Sequence, residues 1–235
     1  MRYPHRYNVG VAVALGVAGT AVAGSLAGVW LGAGAAYPVT AALVCAAALG
    51  AIVRFAGREH PFTAFGAANA VTTIRVALVA LAAGLVGRDA DAAALWFALA
   101  LAGTEVALDG VDGWLARRSG LASAFGARFD METDALLILV LSVLVWQHEK
   151  AGAWVLLCGL MRYLFVAAGW LRAWLRRPLR STFRGKAVAV MQVAGLGAAL
   201  APSVQPPQST VIALATLAAL AWSFAVDILW LKRQH

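Results

Sequence analysis

The window Asp109-x2-Asp112-Gly113-x2-Ala116-Arg117-x8-Gly126-x3-Asp130-x3-Asp134 holds four of the chain's seven aspartates, although only 13% of the residues are charged. Carboxylates are costly near hydrocarbon unless they are paired, hydrated or bound to a cation. Four of them in one window define a candidate cation site. Hard divalent ions such as Mg²⁺ take carboxylate and water oxygens and commonly share phosphate ligands. No histidine or cysteine is grouped with the aspartates, which argues against zinc. Four aspartates can hold two ions, an arrangement that clamps the attacking and leaving oxygens in phosphoryl transfer. Gly113, Ala116 and Gly126 leave room for a bulky ligand near the backbone, and Arg117 adds positive charge beside it.

The elements around this window must be helices. Glu105, Asp109 and Asp112 are spaced four and three apart, so they share one face of a helix expected to end there. A turn containing Gly113, Arg117, Ser119 and Gly120 follows, and the next helix carries Asp130 and Asp134 one turn apart. Two antiparallel helices would thus point two carboxylate pairs at each other. An earlier helix opens Asn69-x2-Thr72-x2-Arg75, again one polar face. Arg75 lies inside an apolar span, so it must face the bundle interior or a watery cavity. Arg162 lies roughly 15 Å from the end of its own helix. It is read either as the ion-pair partner of Glu105 or as the receiver of an anionic substrate group.

The chain is 62% hydrophobic, with a mean hydropathy of +0.79, well above a soluble domain. Apolar stretches of membrane-spanning length, roughly 20 residues each, fall at about 9–33, 37–53, 69–87, 92–110, 122–147, 151–171, 187–203 and 209–230. The expected fold is an all-α integral membrane protein with a six-helix transmembrane core and two additional N-terminal transmembrane helices. Residues 1–53 read as an accessory hairpin, 54–66 as a short amphipathic segment at the interface, and 67–235 as the remaining six helices, which carry the aspartate window. His60, in the interfacial segment, is read as solvated. Arg2 and Arg6 ahead of an apolar run resemble a secretory signal, but the run outlasts a typical signal core and is read as a retained helix. Cys45 and Cys158 lie far apart in apolar segments and read as small packing residues.

The net charge of +8 is distributed by topology. Arg2, Arg6, Arg54, Arg58, Arg117, Arg118 and Arg128 fall on one side of the helix count. So do the basic residues of 172–186 and Lys232 and Arg233, while only Arg88 and Lys150 fall on the other. The positive-inside rule then puts both termini and the aspartate window in the cytoplasm. The charge excess serves orientation and attraction to anionic headgroups, and not nucleic acid. The basic loop reads first as topology and headgroup attraction, and second as a place where Arg180, Arg184 and Lys186 could bind the phosphate of a soluble substrate. A metal-dependent phosphate site at the membrane surface implies a lipid-linked phosphate. An ion-coupled transporter or a scaffold fits less well, because the carboxylates cluster at one interface and are not strung across the span.

All eight positions of the window resemble the signature of the CDP-alcohol phosphotransferase (phosphatidyltransferase) family. Asn69, Thr72 and Arg75 resemble the polar start of that family's first core helix, and Gly185, Lys186 and Gln192 a weaker pattern opening its fifth. Val188 and Ala189 stand where the family often has a Lys-Thr pair. The resemblance covers about residues 55–230 and implies that 67–235 is the six-helix catalytic domain, with the first two helices outside it. It implies a homodimer in the cell membrane with two Mg²⁺ or Mn²⁺ ions on Asp109, Asp112, Asp130 and Asp134. It also implies that Asp134 is the general base and that Asn69, Thr72, Gly113, Ala116, Arg117 and Gly126 shape the nucleotide and diphosphate pocket. The implied reaction moves a phosphatidyl group from CDP-diacylglycerol to an alcohol, releasing CMP. Glycerol 3-phosphate is the expected acceptor, with inositol phosphate and serine as alternatives.

Overall fold

A computed structural model describes residues 6–56, 67–119, 123–176 and 182–233. Among them the regular structure is entirely helical. The α-helices are α1 (Arg6–Trp30), α2 (Ala36–Ala56), α3 (Ala67–Ala83), α4 (Ala92–Ser119), α5 (Ala124–Gln147), α6 (Leu156–Leu171), α7 (Phe183–Leu200) and α8 (Gln208–Arg233). Short 3-10 turns stand at Ala153–Val155 and Ala173–Arg176. Residues 57–66, most of the expected interfacial segment with His60, lie outside the described residues, as does Arg180.

Among the described residues, five stretches are long and apolar enough to cross a bilayer: Val9–Trp30, Ala36–Arg54, Ala92–Arg118, Ala153–Leu171 and Gln208–Arg233. α3 is apolar but shorter. α5 and α7 are not among the five. α5 carries Arg128, Asp130, Glu132 and Asp134 in its first half, and α7 opens with Arg184 and Lys186. Large apolar side chains lie on the outside, with Leu26 70%, Val29 85% and Leu171 86% exposed. Such a surface suits hydrocarbon and would aggregate in water. The chain is a multi-pass membrane protein.

The chain forms two compact units, Met1–Leu136 and Leu137–His235. In the first, α1 and α2 pack on each other and both pack on α3, which packs on α4. The turn between α1 and α2 uses Gly32 and Gly34 at φ of 61° and 72°, a region glycine enters without a Cβ penalty. Cys45, Leu49 and Ile52 of α2 form one buried cluster with Val76 and Ala80 of α3 and Phe125 and Phe129 of α5. The N-terminal hairpin is therefore built into the packing directly behind the start of α5. At its other end, the buried Tyr37 donates its hydroxyl to the Leu81 carbonyl at 2.8 Å. Its ring lies against Gly84, where a Cβ would come within 2.7 Å. α3 ends at Ala83, four residues before the expected limit, and a turn through Gly87 at φ 78° follows it.

In the second unit, Lys150 is buried and donates to the carbonyls of Val204 at 2.6 Å and Ala201 at 3.3 Å. Its own carbonyl accepts from Ser209 Oγ and Thr210 Oγ1, so this lysine ties the loop before α6 to the α7–α8 turn. α7 starts at a Thr182 cap, whose hydroxyl accepts from the Gly185 amide at 3.1 Å. α7 and α8 meet where Gly195 faces Thr216; a Cβ there would lie 2.0 Å from Thr216 Cγ2. One turn earlier, the fully buried Gln192 donates Nε2 to the Thr216 carbonyl at 2.9 Å. Arg184 donates to the Ser223 carbonyl at 2.6 Å and pairs with Asp227, with its guanidinium over Trp222.

Candidate functional site

α4 does not stop at Asp112. It continues through Gly113 to Ser119, which corrects the expected turn containing Gly113, Arg117 and Ser119. A glycine inside a helix costs only about 1 kcal/mol against alanine, and Ala116, Arg117 and Arg118 favour continuation. The two arginines in the last turn also complement the helix dipole. Asp109 and Asp112 are consequently held on a helix interior, not at a fraying end. α5 then starts beyond Ser123, whose hydroxyl accepts from the Gly126 amide at 3.0 Å. A Cβ on Gly126 would lie 3.3 Å from Asn69 Oδ1. The space that glycine leaves is thus filled by another residue of the polar set. Arg117 folds back so that Nη1 would lie 3.3 Å from a Cβ on Gly113.

Asn69, Thr72 and Arg75 share the buried face of α3, as their spacing predicts. Thr72 Oγ1 lies 2.9 Å from Asp112 Oδ2 and 3.1 Å from the Ala68 carbonyl. Arg75 is fully buried and is the centre of the site. Its Nε donates to Glu105 Oε1 at 3.1 Å, and Nη2 lies 2.9 Å from the same oxygen. Nη1 lies 3.0 Å from Asp109 Oδ1 and 2.8 Å from Asp112 Oδ2, and also pairs with Asp130 Oδ1. Nη2 pairs with Asp134 Oδ1. One guanidinium from α3 gathers three carboxylates of α4 and two of α5.

The five carboxylates differ in access. The Glu105 and Asp112 side chains are 1% and 7% exposed, whereas Asp109, Asp130 and Asp134 are 46%, 40% and 39% exposed. Oxygens of Asp109, Asp112 and Asp130 lie within 4.8 Å of one another, close enough to share a cation. An all-oxygen donor set, open on one side, fits a hard divalent ion that keeps some of its ligands from water or phosphate. Asp134 stands outside that triad, on the other terminal nitrogen of Arg75.

Two residues of this centre were not among the expected site residues. Spacing turns Arg75 inward without assigning it a role, and names Glu105 as a possible partner of Arg162. Within the first unit Glu105 is engaged by Arg75. The signal for Glu105 was available, because spacings of four and seven put it on the Asp109–Asp112 face. Arg162, Arg184 and Lys186 belong to the second unit. Arg184 there is committed to Asp227 and Ser223, and Lys186 is exposed in the first turn of α7.

The fold and the cluster together define a helical membrane protein with an acidic, cation-compatible centre suited to phosphate chemistry. Residues 65–226 match the CDP-alcohol phosphatidyltransferase family, and the chain belongs to it. The family transfers phosphate-containing groups from CDP-linked alcohols in phospholipid synthesis and typically depends on divalent metal. No curated protein and no solved structure matches the chain.

Proposed function

We propose that this protein transfers the phosphatidyl group of CDP-diacylglycerol to glycerol 3-phosphate and releases CMP at the cytoplasmic face of the cell membrane. The observation that carries this reading is the convergence of Asp109, Asp112 and Asp130 within 4.8 Å, inside the segment that matches the family. Asp109, Asp112, Asp130 and Asp134 would hold two Mg²⁺ or Mn²⁺ ions. When bound, these supply positive charge to the diphosphate and to the departing CMP.

The chain's own residues provide position and proton transfer. Asn69 and Thr72 on α3, with Gly113, Ala116, Arg117 and Gly126, line the side on which cytidine and diphosphate are received. Asp134, 39% exposed, accepts the proton of the acceptor hydroxyl at Oδ2, the oxygen opposite the one paired with Arg75. The acceptor oxygen forms its bond to the lipid-bearing phosphorus as the bond from that phosphorus to the CMP oxygen breaks. Arg162, Arg180 and Lys186 are proposed to receive the acceptor's phosphate, with Arg184 as a supporting contact. The arginine asymmetry supports cytoplasmic termini, and the protein is proposed to act as a homodimer.

The test is CMP release by purified protein given CDP-diacylglycerol and Mg²⁺, with glycerol 3-phosphate, inositol phosphate or serine in parallel. Release with glycerol 3-phosphate alone, abolished by EDTA, is the expected result. Release with a different acceptor would overturn the acceptor assignment, and no release with any would overturn the catalytic one.

A further inference from the structure

We infer that Arg75, anchored by Glu105, is an intramolecular counter-cation for the carboxylate cluster. It holds the cluster together before divalent ions arrive and yields Asp109, Asp130 and Asp134 when they bind. The inference rests on the reading of the aspartates as a divalent-cation site.

The contacts divide into two kinds. Glu105 receives two donors of the guanidinium, Nε and Nη2, in a spot closed to solvent. Asp112 is nearly as buried and also takes the Thr72 hydroxyl. Asp109, Asp130 and Asp134 each meet a single terminal nitrogen and are half open to solvent. Nη1 carries two hydrogens but faces oxygens of three aspartates, so it cannot satisfy all of them at once.

The charge count points the same way. Five carboxylates against one guanidinium leave a formal excess of four negative charges, which two divalent cations would balance. A cation entering among Asp109, Asp112 and Asp130 meets Nη1 at contact distance, and like charges so close repel. The guanidinium must then release the open carboxylates. Glu105 prevents it from leaving altogether, which keeps the positive charge at the floor of the site. A buried arginine stripped of all its partners would be strongly disfavoured.

The test measures Mn²⁺ affinity of the purified full chain by calorimetry without substrates, and thermal unfolding in EDTA and in Mg²⁺. Arg75→Gln removes the competing charge, so Mn²⁺ should bind roughly tenfold more tightly. The same variant should melt lower than wild type in EDTA and recover most of that loss in Mg²⁺. A merely structural arginine would lower melting equally in both. Equal or weaker Mn²⁺ binding by folded Arg75→Gln would overturn the inference.

If Arg75→Gln does not fold, Glu105→Gln decides. Without its anchor the guanidinium stays on the aspartates, and Mn²⁺ should bind roughly tenfold more weakly. Unchanged Mn²⁺ affinity in Glu105→Gln would overturn the inference. Failure of the wild-type protein to bind Mn²⁺ at all would overturn the metal-site reading beneath it.

Discussion

Phe129 and Asp130 are chain neighbours on α5 that face opposite environments: Phe129 is buried in the cluster with Cys45 and Leu49 of α2, while Asp130 reaches Arg75. The apolar side of α5 is thereby seated on the N-terminal hairpin, and the same seating aims the carboxylate side at the site. Leu49→Ala should therefore lower thermal stability by about 2–5 kcal/mol, the range for a buried leucine. Because Phe125 and Phe129 lose backing in that variant, Mg²⁺ should also be required at higher concentration for half-maximal CMP release. A variant that melts lower with an unchanged Mg²⁺ requirement would show that the hairpin supports the fold alone.

Asp134→Asn keeps the shape of the side chain and removes its capacity as a base. Turnover should fall by about 10²–10⁴-fold, with nucleotide binding by calorimetry largely retained. Substantial residual activity would remove Asp134 from the general-base role.

Asp109→Ala deletes one oxygen donor of the triad that lies within 4.8 Å. Metal and nucleotide affinity should fall together, seen as a higher Mg²⁺ requirement and a higher KM for the CDP-linked lipid. EDTA should abolish activity in the wild type, and added Mg²⁺ should restore it.

Arg184→Ala and Arg180→Ala should separate two uses of basic charge. Arg184 is bound to Asp227 and Ser223, so its loss should lower stability by about 1–3 kcal/mol. Arg180→Ala should instead raise the KM for a phosphorylated acceptor and leave melting unchanged. Identical acceptor KM values in Arg180→Ala and wild type would exclude that residue from the acceptor site.

Gly195→Ala places a methyl 2.0 Å from Thr216 Cγ2, and overpacking of this kind costs about 1–3 kcal/mol. Thr216→Ser removes the offending methyl and keeps the hydroxyl that donates to the Ala213 carbonyl. The double variant should melt closer to wild type than Gly195→Ala does.

The reaction class was legible through the resemblance of the eight-residue window to the family signature, and the shared faces of the aspartates because helical spacing is a local property. Asp109 and Asp112 share a face, as do Asp130 and Asp134, whatever surrounds them. The buried face of Asn69, Thr72 and Arg75 followed from the same periodicity. The helical membrane character followed from apolar stretch length, since only closed backbone hydrogen bonding survives in hydrocarbon.

Tertiary structure alone decided who pairs with whom. Arg75 is 30 residues from Glu105 and 59 from Asp134, and no spacing rule connects residues on separate helices. Spacing turned Arg75 inward but assigned it no partner. Packing of α3 on α4 brings it to Glu105. The extension of α4 past Gly113 was likewise hidden, because a lone glycine is a weak stop that neighbouring helix formers overcome. What the chain carries by itself is the set of charges on each helical face. Which of those charges neutralise one another depends on which faces are brought into contact, and only the packed helices determine that.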